Sequence, residues 1–395
     1  MSMVRRFIFF VLVFLFVFNI NFSFFPSILR TRILLGGIGL FYCVCSSSES
    51  RGSLFKIVCL NIPLALICTF SLLVNGTADF WLIQYSILNV AYFSAAYMIV
   101  DGFKRKLPLD YVFLIKTFVI AVLVNTMSAF IGFIYAPVSQ FLLSIQTLDA
   151  GDAALSAITE FQVRAVGWGV GNFFIGGMMS AVASVAVCYL YSYKHISVRT
   201  FILTLMLLLS TGLFVARTSI LGVLGLLLLV REKKKATVLI ISLFLMYYVI
   251  SNINVIGGFL VTHFGISVDW AFEVLSRKGI ENSRSLNTLG EMYVFPSHLS
   301  TWFIGDGLFE TSKGYYMHTD VGYLRLLFYV GMCGVLYYQY YVYSLCKWAS
   351  KNMKGHRAFI LLIFGLFLLL QFKGFTDMSF FLFLLIPLTQ QKSRC

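Results

Sequence analysis

Charged residues are scarce in this chain of 395 residues. Asp, Glu, Lys and Arg make up 12% of it, against roughly 25% in soluble domains. Proline is also scarce, with six residues, whereas hydrophobic residues make up 59% and phenylalanine alone occurs 41 times. Such an apolar chain with so few helix-breaking prolines favours long helices in contact with lipid. We therefore expect an all-α polytopic integral membrane protein and exclude a soluble enzyme.

Acidic residues are outnumbered by Lys and Arg, 16 against 30, which gives a formal net charge of +14. The basic residues cluster in short connections between apolar runs, such as 104–106 and 231–235. The positive-inside rule places these connections in the cytoplasm, together with both termini. The basic excess thus indicates membrane orientation. No pattern of basic and aromatic residues suggests a nucleic-acid partner.

Twelve apolar segments are expected to cross the membrane, since a span needs about 17–25 apolar residues. The stretch 200–230 is unusual because Arg217 lies at its middle and basic clusters flank both ends. A hairpin of two short helices, 200–214 and 218–230, keeps both clusters on one side, which a single span does not. The predicted spans are 7–25, 33–46, 54–74, 81–100, 111–134, 168–193, 200–214, 218–230, 236–253, 320–346, 358–372 and 375–390.

Two long loops, 135–167 and 254–319, are expected on the outer side of a single transmembrane domain covering 1–395. Long loops in compact proteins are usually functional or disordered. The second loop is rich in Trp, Phe and Leu, so we expect it to be ordered and to contain interfacial helices. Neither loop contains cysteine, so we expect no disulfide framework there.

Charged groups gather in the stretch 283–334, where they are costly to keep beside a bilayer and therefore indicate a functional site. An isolated arginine near a helix end usually pairs with an acid or extends its charge to the interface. Several arginines that converge would instead bind a diphosphate, because each planar guanidinium can donate two parallel hydrogen bonds to phosphate oxygens. The candidates on the outer side are Arg164, Arg217, Arg284 and Arg325, with Lys373 as a weaker fifth.

Candidate acid–base groups lie in the same stretch: Glu291, His298, His318 and Asp320. Glycosyl transfer from a lipid diphosphate needs a base for the attacking hydroxyl and cations for the departing diphosphate. The alternative is structural: His298 is a loop residue, and Thr319 or Asp320 caps the helix that begins there. The sequence 305–307, Gly-Asp-Gly, is predicted to be a turn.

Four short elements follow one another along the chain. They are Arg164-Ala-Val-Gly167 with Asn172; Ala216-Arg217-Thr218-Ser219; Ser283-Arg284 with Pro296 and Gly305-Asp-Gly307; and Asp320-Val-Gly-Tyr323-Leu324 ending in Gly331-x-x-Gly334. Together, in this order, they resemble the family of O-antigen polymerases and ligases. Ligases have a histidine eleven residues before the first glycine of the last element, where this chain has Asp320. This difference favours the Wzy-type polymerase.

The resemblance implies a GT-C-like transferase of the bacterial inner membrane with its active site facing the periplasm. It would join repeat units carried on undecaprenyl diphosphate, beside membrane lipid and a chain-length regulator (polysaccharide copolymerase). The lipid diphosphate is already an activated donor, so no cofactor or metal is needed, and a single displacement inverts the anomeric carbon. Arg217 and Arg284 would hold the diphosphate with help from Arg164 and Arg325, while His318, Asp320 or Glu291 would act on the acceptor hydroxyl.

Three other functions fit parts of the sequence. A ligase that moves finished glycan onto lipid A-core shares the fold, the donor and the arginines. A flippase for the lipid-linked unit also has about twelve spans, but its outer loops are short. An interaction or assembly protein would not need Arg217 inside an apolar hairpin.

Overall fold

The computed structural model of the chain describes residues 2–26, 28–104, 106–147, 165–169, 173–229, 262, 290–311, 314–351 and 357–393. These residues are mostly helical. The α-helices are α1 (Ser2–Phe18), α2 (Thr31–Cys45), α3 (Ser48–Asn75), α4 (Trp81–Lys104), α5 (Tyr111–Ile134), α6 (Ala136–Ile145), α7 (Phe173–Ser192), α8 (Val198–Val215), α9 (Leu299–Phe303), α10 (Gly322–Ala349), α11 (Arg357–Leu370) and α12 (Ser379–Leu385).

Three 3₁₀ helices and one small hairpin complete the described structure. The 3₁₀ helices span Arg217–Leu229, Tyr316–His318 and Ile386–Ser393. Strand β1 (Glu310–Thr311) pairs antiparallel with β2 (Gly314–Tyr315). The second long loop thus turns back on itself in a short hairpin, within a chain whose described residues are otherwise mostly helical.

Five of the described helices are long and apolar enough to cross a membrane: α3, α4, α5, α8 and the segment Phe174–Ser192 of α7. This finding supports the prediction of an integral membrane protein. Eleven of the twelve predicted spans overlie described helices, and 236–253 lies outside the described residues. The count of twelve crossings and the GT-C likeness stay predictions.

The first predicted span, 7–25, extends too far at its end. Helix α1 ends at Phe18, and Asn19 adopts a left-handed backbone (φ 48°) that stops the helix. The apolar residues beyond it do not continue the helix, because Phe22 instead pairs its backbone with Gln146 after α6. An apolar run predicts burial here, but the asparagine between the two parts determines where the helix ends.

The chain packs as two compact units. Unit 1 contains residues 1–17, 31–114 and 288–395, and unit 2 contains 18–30 and 115–287. The single-domain prediction stays a prediction.

Unit 1 contains a close crossing of α2 and α4. A Cβ atom added at Gly36 would lie 3.0 Å from the Ala91 Cβ, and one at Gly39 would strike the backbone of Ser94 and Ala95. Small residues let two helix backbones approach in this way, which is the usual basis of helix association in membranes.

Unit 1 also holds a buried arginine at the end of α1. The Arg32 side chain donates to the carbonyl oxygens of Phe16 (2.8 Å) and Val17 (2.7 Å), the last turn of that helix. Its guanidinium lies over the rings of Phe16, Tyr92 and Phe380. The charge therefore caps a helix C-terminus, where a cation is favourable.

Unit 2 contains the predicted hairpin around Arg217. Helix α8 runs antiparallel to α7, because Phe201 stacks on Tyr191 near one end while Gly212 lies against Ser180 near the other. Ala216 then adopts an extended backbone and ends α8.

The 3₁₀ helix Arg217–Leu229 returns parallel to α7. Gly177, near the start of α7, contacts Thr218, and the Ser192 hydroxyl at its end donates to the Leu228 carbonyl oxygen (3.1 Å). The hairpin is therefore confirmed, with Arg217 at its turn. The returning helix has 13 residues, which is long for 3₁₀ geometry. Close packing of Gly222 against Ser184 accompanies it.

Candidate functional site

The turn at 305–307 lies against a break in α10. Gly331 inside that helix has φ 68° and ψ −174°, a conformation that interrupts the helical hydrogen bonds. The carbonyl oxygens of Phe328 and Tyr329 instead accept the N–H groups of Asp306 (2.5 Å) and Gly307 (3.1 Å). The Gly-Asp-Gly segment predicted to be a turn has a bend at Gly307, and its N–H groups replace the hydrogen bonds that the helix gives up.

The connection between α3 and α4 holds the same turn from another direction. The Asn75 amide donates to the Gly305 carbonyl oxygen (3.0 Å), and the Thr77 hydroxyl donates to that of Gly307 (2.9 Å). Gly305 and Gly307 both have positive φ angles, 82° and 70°. Two distant parts of unit 1 therefore fix this backbone.

Asp79 continues the contact into the loop that follows. One carboxylate oxygen accepts from the N–H groups of Phe309 (2.7 Å) and Glu310 (3.2 Å), and the other accepts from the N–H of Trp81 (3.1 Å) at the start of α4. The Phe309 ring stacks on the Trp81 indole with 3.8 Å between centroids. Asp79 thus anchors the loop that leads to β1.

Arg325 is buried by groups from this loop, and only 6% of its side chain is exposed. Its guanidinium lies 3.9 Å from the ring centroid of Phe309 and 3.7 Å from that of Tyr315. Nη2 is 3.1 Å from Glu310 Oε1, and Nη1 is 3.8 Å from Asp320 Oδ1. The interpretation of an acid-paired arginine is therefore confirmed, and the structure brings two of the predicted site residues together.

Asp320 has surroundings that suit a base. Burial raises the pKa of its carboxyl, while the nearby charges of Arg325 and Lys373 lower it. Burial also raises the pKa of the neighbouring Tyr315 hydroxyl. A carboxyl with a raised pKa accepts a proton more effectively than an ordinary one.

The helix cap predicted at 319–320 is wrong. Val321 is the N-cap of α10 and receives no side-chain cap, although its N–H donates to the Thr319 hydroxyl (3.3 Å). The extended residues before the helix leave the Asp320 carboxylate directed at Arg325.

The other acid–base candidates are exposed. His318 has a left-handed backbone (φ 54°) at the end of a short 3₁₀ turn. Glu291 lies in the exposed segment before α9, and His298 is the N-cap of α9 without a side-chain cap. In the described part of the chain, neither an ion pair nor a hydrogen bond joins Glu291 or His318 to Arg325.

Unit 2 holds the segment 165–169 in a frame of amide side chains. The Asn125 oxygen accepts the N–H of Trp168 (2.6 Å), and its nitrogen donates to the Trp168 carbonyl oxygen (3.3 Å). Gln146 makes the same pair of bonds with the Gly167 carbonyl oxygen (2.9 Å) and the Gly169 N–H (2.8 Å). A Cβ atom at Gly167 would strike Asn125. This close approach explains the glycine of the first motif.

The same segment is tied to the hairpin beside Arg217. The Ala165 N–H donates to the Phe214 carbonyl oxygen (3.0 Å) in the last turn of α8. Arg164, the residue before Ala165, lies outside the described residues, as does Arg284. This backbone hydrogen bond nevertheless joins the first and second motifs. Its donor is one residue after Arg164, and its acceptor is three residues before Arg217.

Three buried hydroxyls surround the Arg217 turn: Ser180, Thr218 and Ser219. None of them has a hydrogen-bond partner within the described part of the chain. A Cβ atom at Gly177 would strike the Thr218 hydroxyl, and one at Gly212 would lie 2.9 Å from Ser180 and 3.0 Å from Ser219. Buried polar atoms usually have partners, so this turn has hydrogen-bonding capacity that the described residues do not use.

The sequence interpretation missed several residues that hold these two regions. In unit 1 they are two acids and two aromatic side chains, and in unit 2 it is an asparagine of α5. Phe309 and Glu310 directly follow the Gly-Asp-Gly turn and could have been noticed there, whereas the roles of the others depend on tertiary contacts. They are Asp79, Asn125, Phe309, Glu310 and Tyr315.

Neither a family model, nor a curated protein, nor a solved structure matches the chain. The likeness to O-antigen polymerases therefore depends on the four sequence elements alone and stays a prediction.

Proposed function

We propose that this protein is a polysaccharide polymerase of the O-antigen type. The hydroxyl oxygen of an acceptor sugar attacks the anomeric carbon of a donor glycan and forms the new glycosidic bond. The bond from that carbon to undecaprenyl diphosphate breaks at the same time, and the diphosphate leaves with the electron pair. A base of the protein takes the hydroxyl proton, so the reaction inverts the anomeric carbon and balances without a metal or cofactor.

The position of Arg217 is the observation that carries the proposal. A half-buried cation at the turn of an apolar hairpin needs anionic or strongly polar surroundings. Buried hydroxyls without described partners lie beside it, and one backbone bond links the turn to the segment that follows Arg164. A diphosphate accepts hydrogen bonds from arginines and hydroxyls alike. We assign Arg217, with Arg164 and Arg284, to the donor diphosphate.

Arg325 receives a different assignment. Glu310 and Asp320 already pair with its charge, and two aromatic rings cover both faces of the guanidinium. A diphosphate would have to displace these contacts. We therefore propose that Arg325 positions Asp320 and the loop before it, and that Asp320 or the exposed His318 removes the acceptor proton.

The proposed setting is the bacterial inner membrane, with the site facing the periplasm and both termini in the cytoplasm. The distribution of basic residues supports this orientation. Undecaprenyl-diphosphate-linked oligosaccharide is the proposed substrate, and a polysaccharide copolymerase that sets chain length is the proposed partner.

The deciding experiment is the banding pattern of surface lipopolysaccharide from a strain that lacks the gene. Core that carries a single repeat unit, with no ladder, is the result expected of a lost polymerase. Bare core with accumulated lipid-linked polymer would instead indicate a ligase. Bare core with single lipid-linked units trapped in the cytoplasmic leaflet would indicate a flippase.

Two variants in the complemented strain separate the base candidates. If Asp320 is the base, Asp320→Ala removes the ladder while His318→Ala keeps it, and the reverse pattern assigns His318. A full ladder from both variants would refute this part of the mechanism. Arg284→Ala should also remove the ladder without loss of protein, which tests the diphosphate assignment outside the described residues.

A further inference from the structure

A basic cavity lies between the end of α10 and the start of α11, within unit 1. It has a volume of about 370 Å³. Its polar wall contains Lys347, Lys351 and Arg357, together with the hydroxyl of Ser350. None of the described residues that line it is acidic. The three formal positive charges therefore face a common space that contains no lining carboxylate.

The other wall of the cavity is apolar. Ile360 and Leu361 lie in one turn of α11 and Phe364 lies in the next, and the Tyr343 ring packs edge-on against Phe364. The Leu361 side chain is 63% exposed. An exposed leucine next to a cationic rim gives the cavity two chemically different ends, one for an anion and one for a hydrocarbon chain.

A further lysine increases the positive charge near this cavity. The Lys56 ammonium of α3 lies 4.0 Å from the ring centroid of Trp348, which belongs to the same turn of α10 as Lys347. The Trp–Lys contact is also typical of side chains at the level of lipid head groups.

We propose that this cavity binds the phosphate of an anionic phospholipid, with an acyl chain along Ile360, Leu361 and Phe364. The connection 347–357 is predicted to lie on the cytoplasmic side, where basic pockets between helices suit anionic head groups. The lysines and the arginine hold the phosphate as charged donors. This lipid site is separate from the proposed transferase chemistry and does not depend on it.

The test uses the purified full chain after removal of bound lipid. Native mass spectrometry and thermal unfolding follow the addition of phosphatidylglycerol, phosphatidylethanolamine, or inorganic phosphate. We expect phosphatidylglycerol to bind and to raise the unfolding midpoint, with weaker binding of the zwitterionic lipid. Binding of inorganic phosphate with equal stabilisation would overturn the lipid assignment and leave a soluble anion as the ligand.

Charge variants locate the binding. The triple variant Lys347→Gln, Lys351→Gln, Arg357→Gln should weaken phosphatidylglycerol binding about a hundredfold, since each cation near a membrane surface contributes to anion affinity. The matched control is Lys106→Gln, Lys194→Gln, Arg199→Gln, which removes the same charges from exposed positions elsewhere. Equal loss in both triple variants would refute a specific cavity.

A second variant keeps the proposal testable if the triple variant does not fold. Leu361→Glu places a negative charge on the exposed apolar wall while all three cations remain. It should reduce phosphatidylglycerol binding and leave the midpoint without lipid unchanged. Unchanged binding by this variant would exclude an acyl chain from that wall.

Discussion

Arg325 in unit 1 and Arg217 in unit 2 both lie near the start of a helix, in very different surroundings. Arg325 is enclosed by two carboxylates and two aromatic rings, all contributed by the loop that precedes its helix. Arg217 lies at the turn of a hairpin among small residues and buried hydroxyls. The comparison indicates that the loop around Arg325 is held together by the cation it encloses, whereas the turn at Arg217 has hydroxyls whose hydrogen-bonding capacity the described residues do not use.

The largest expected effect is on activity in unit 2. Arg217→Ala should reduce chain extension about a hundredfold or more, because a cation that stabilises a departing diphosphate is lost. Arg217→Lys should recover only part of the activity, since a lysine cannot form the paired contact. The measurement is in vitro extension of a lipid-linked repeat unit, with the amount of folded protein followed by size-exclusion chromatography.

Arg199→Ala is the matched control for this prediction. Arg199 is exposed near the start of α8, at the end of the hairpin opposite to the turn that contains Arg217, so its loss should leave extension unchanged. Failure of the Arg217→Ala variant to fold would contradict the proposed difference between Arg217 and Arg325. Arg217 would then be structural in the same sense as Arg325.

The next largest effect is on stability in unit 1. Gly331→Ala forces a side chain onto a positive-φ backbone and directs its Cβ at the carbonyl group of Phe303. We expect a loss of about 3 kcal/mol, from backbone strain and overpacking together. Thermal unfolding in detergent, followed by intrinsic fluorescence, measures it.

The control for this substitution is Gly365→Ala in α11. A Cβ atom there would meet no heavy atom within 4 Å, so the change should be neutral or stabilise by up to about 1 kcal/mol. If both substitutions lowered the stability equally, the contact between the 305–307 turn and the break in α10 would not be the cause of the loss.

Arg325→Gln tests the enclosed arginine directly and should be smaller in effect. It removes two cation–π contacts and leaves Glu310 and Asp320 without their cation. Both carboxylates are substantially exposed, at 56% and 42%, so solvent screens the ion pairs and we expect a total loss of about 2 kcal/mol. Arg51→Gln at an exposed position is the control.

A double-mutant cycle sharpens this result. Combining Arg325→Gln with Glu310→Gln should show a coupling of about 0.5–1 kcal/mol, as expected of a partly exposed pair. No coupling would show that the aromatic rings, not the acids, hold the guanidinium.

Much of the helical framework is predictable because an apolar run in lipid must satisfy its backbone within a helix. Tyr111–Ile134 matches its predicted span, and the break beside Arg217 follows from the charge in the middle of an apolar stretch. The end of α1 is missed because apolarity continues through Phe22–Phe25 while Asn19 has already turned the chain.

The surroundings of the site are much less predictable. Arg325 meets Phe309 and Tyr315 only because the turn at 305–307 fits the break at Gly331. No periodic pattern in the sequence marks the break at Gly331. The anchoring carboxylate of Asp79 comes from the connection between α3 and α4, far away in the sequence. Contacts of such long sequence separation follow from the fold and not from a local motif.

The smallest expected effect concerns the pH dependence of stability. Burial raises the pKa of Asp320, against the opposing charges of Arg325 and Lys373. A carboxyl with a higher pKa in the folded chain keeps its proton longer there, so it favours folding at low pH. That contribution is lost as pH rises from the ordinary aspartate pKa, about 4, through the raised value.

Asp320→Asn isolates this contribution, because asparagine does not titrate. The unfolding midpoint of the wild type relative to Asp320→Asn should fall as pH rises through that interval. In the Arg325→Gln background the fall should extend to higher pH, since removal of the largest opposing charge raises the pKa of Asp320 further. A difference that stays constant across this range would mean that Asp320 is fully solvated. The enclosure of Arg325 would then extend only to Glu310 and the two rings, and the contrast with Arg217 would weaken accordingly.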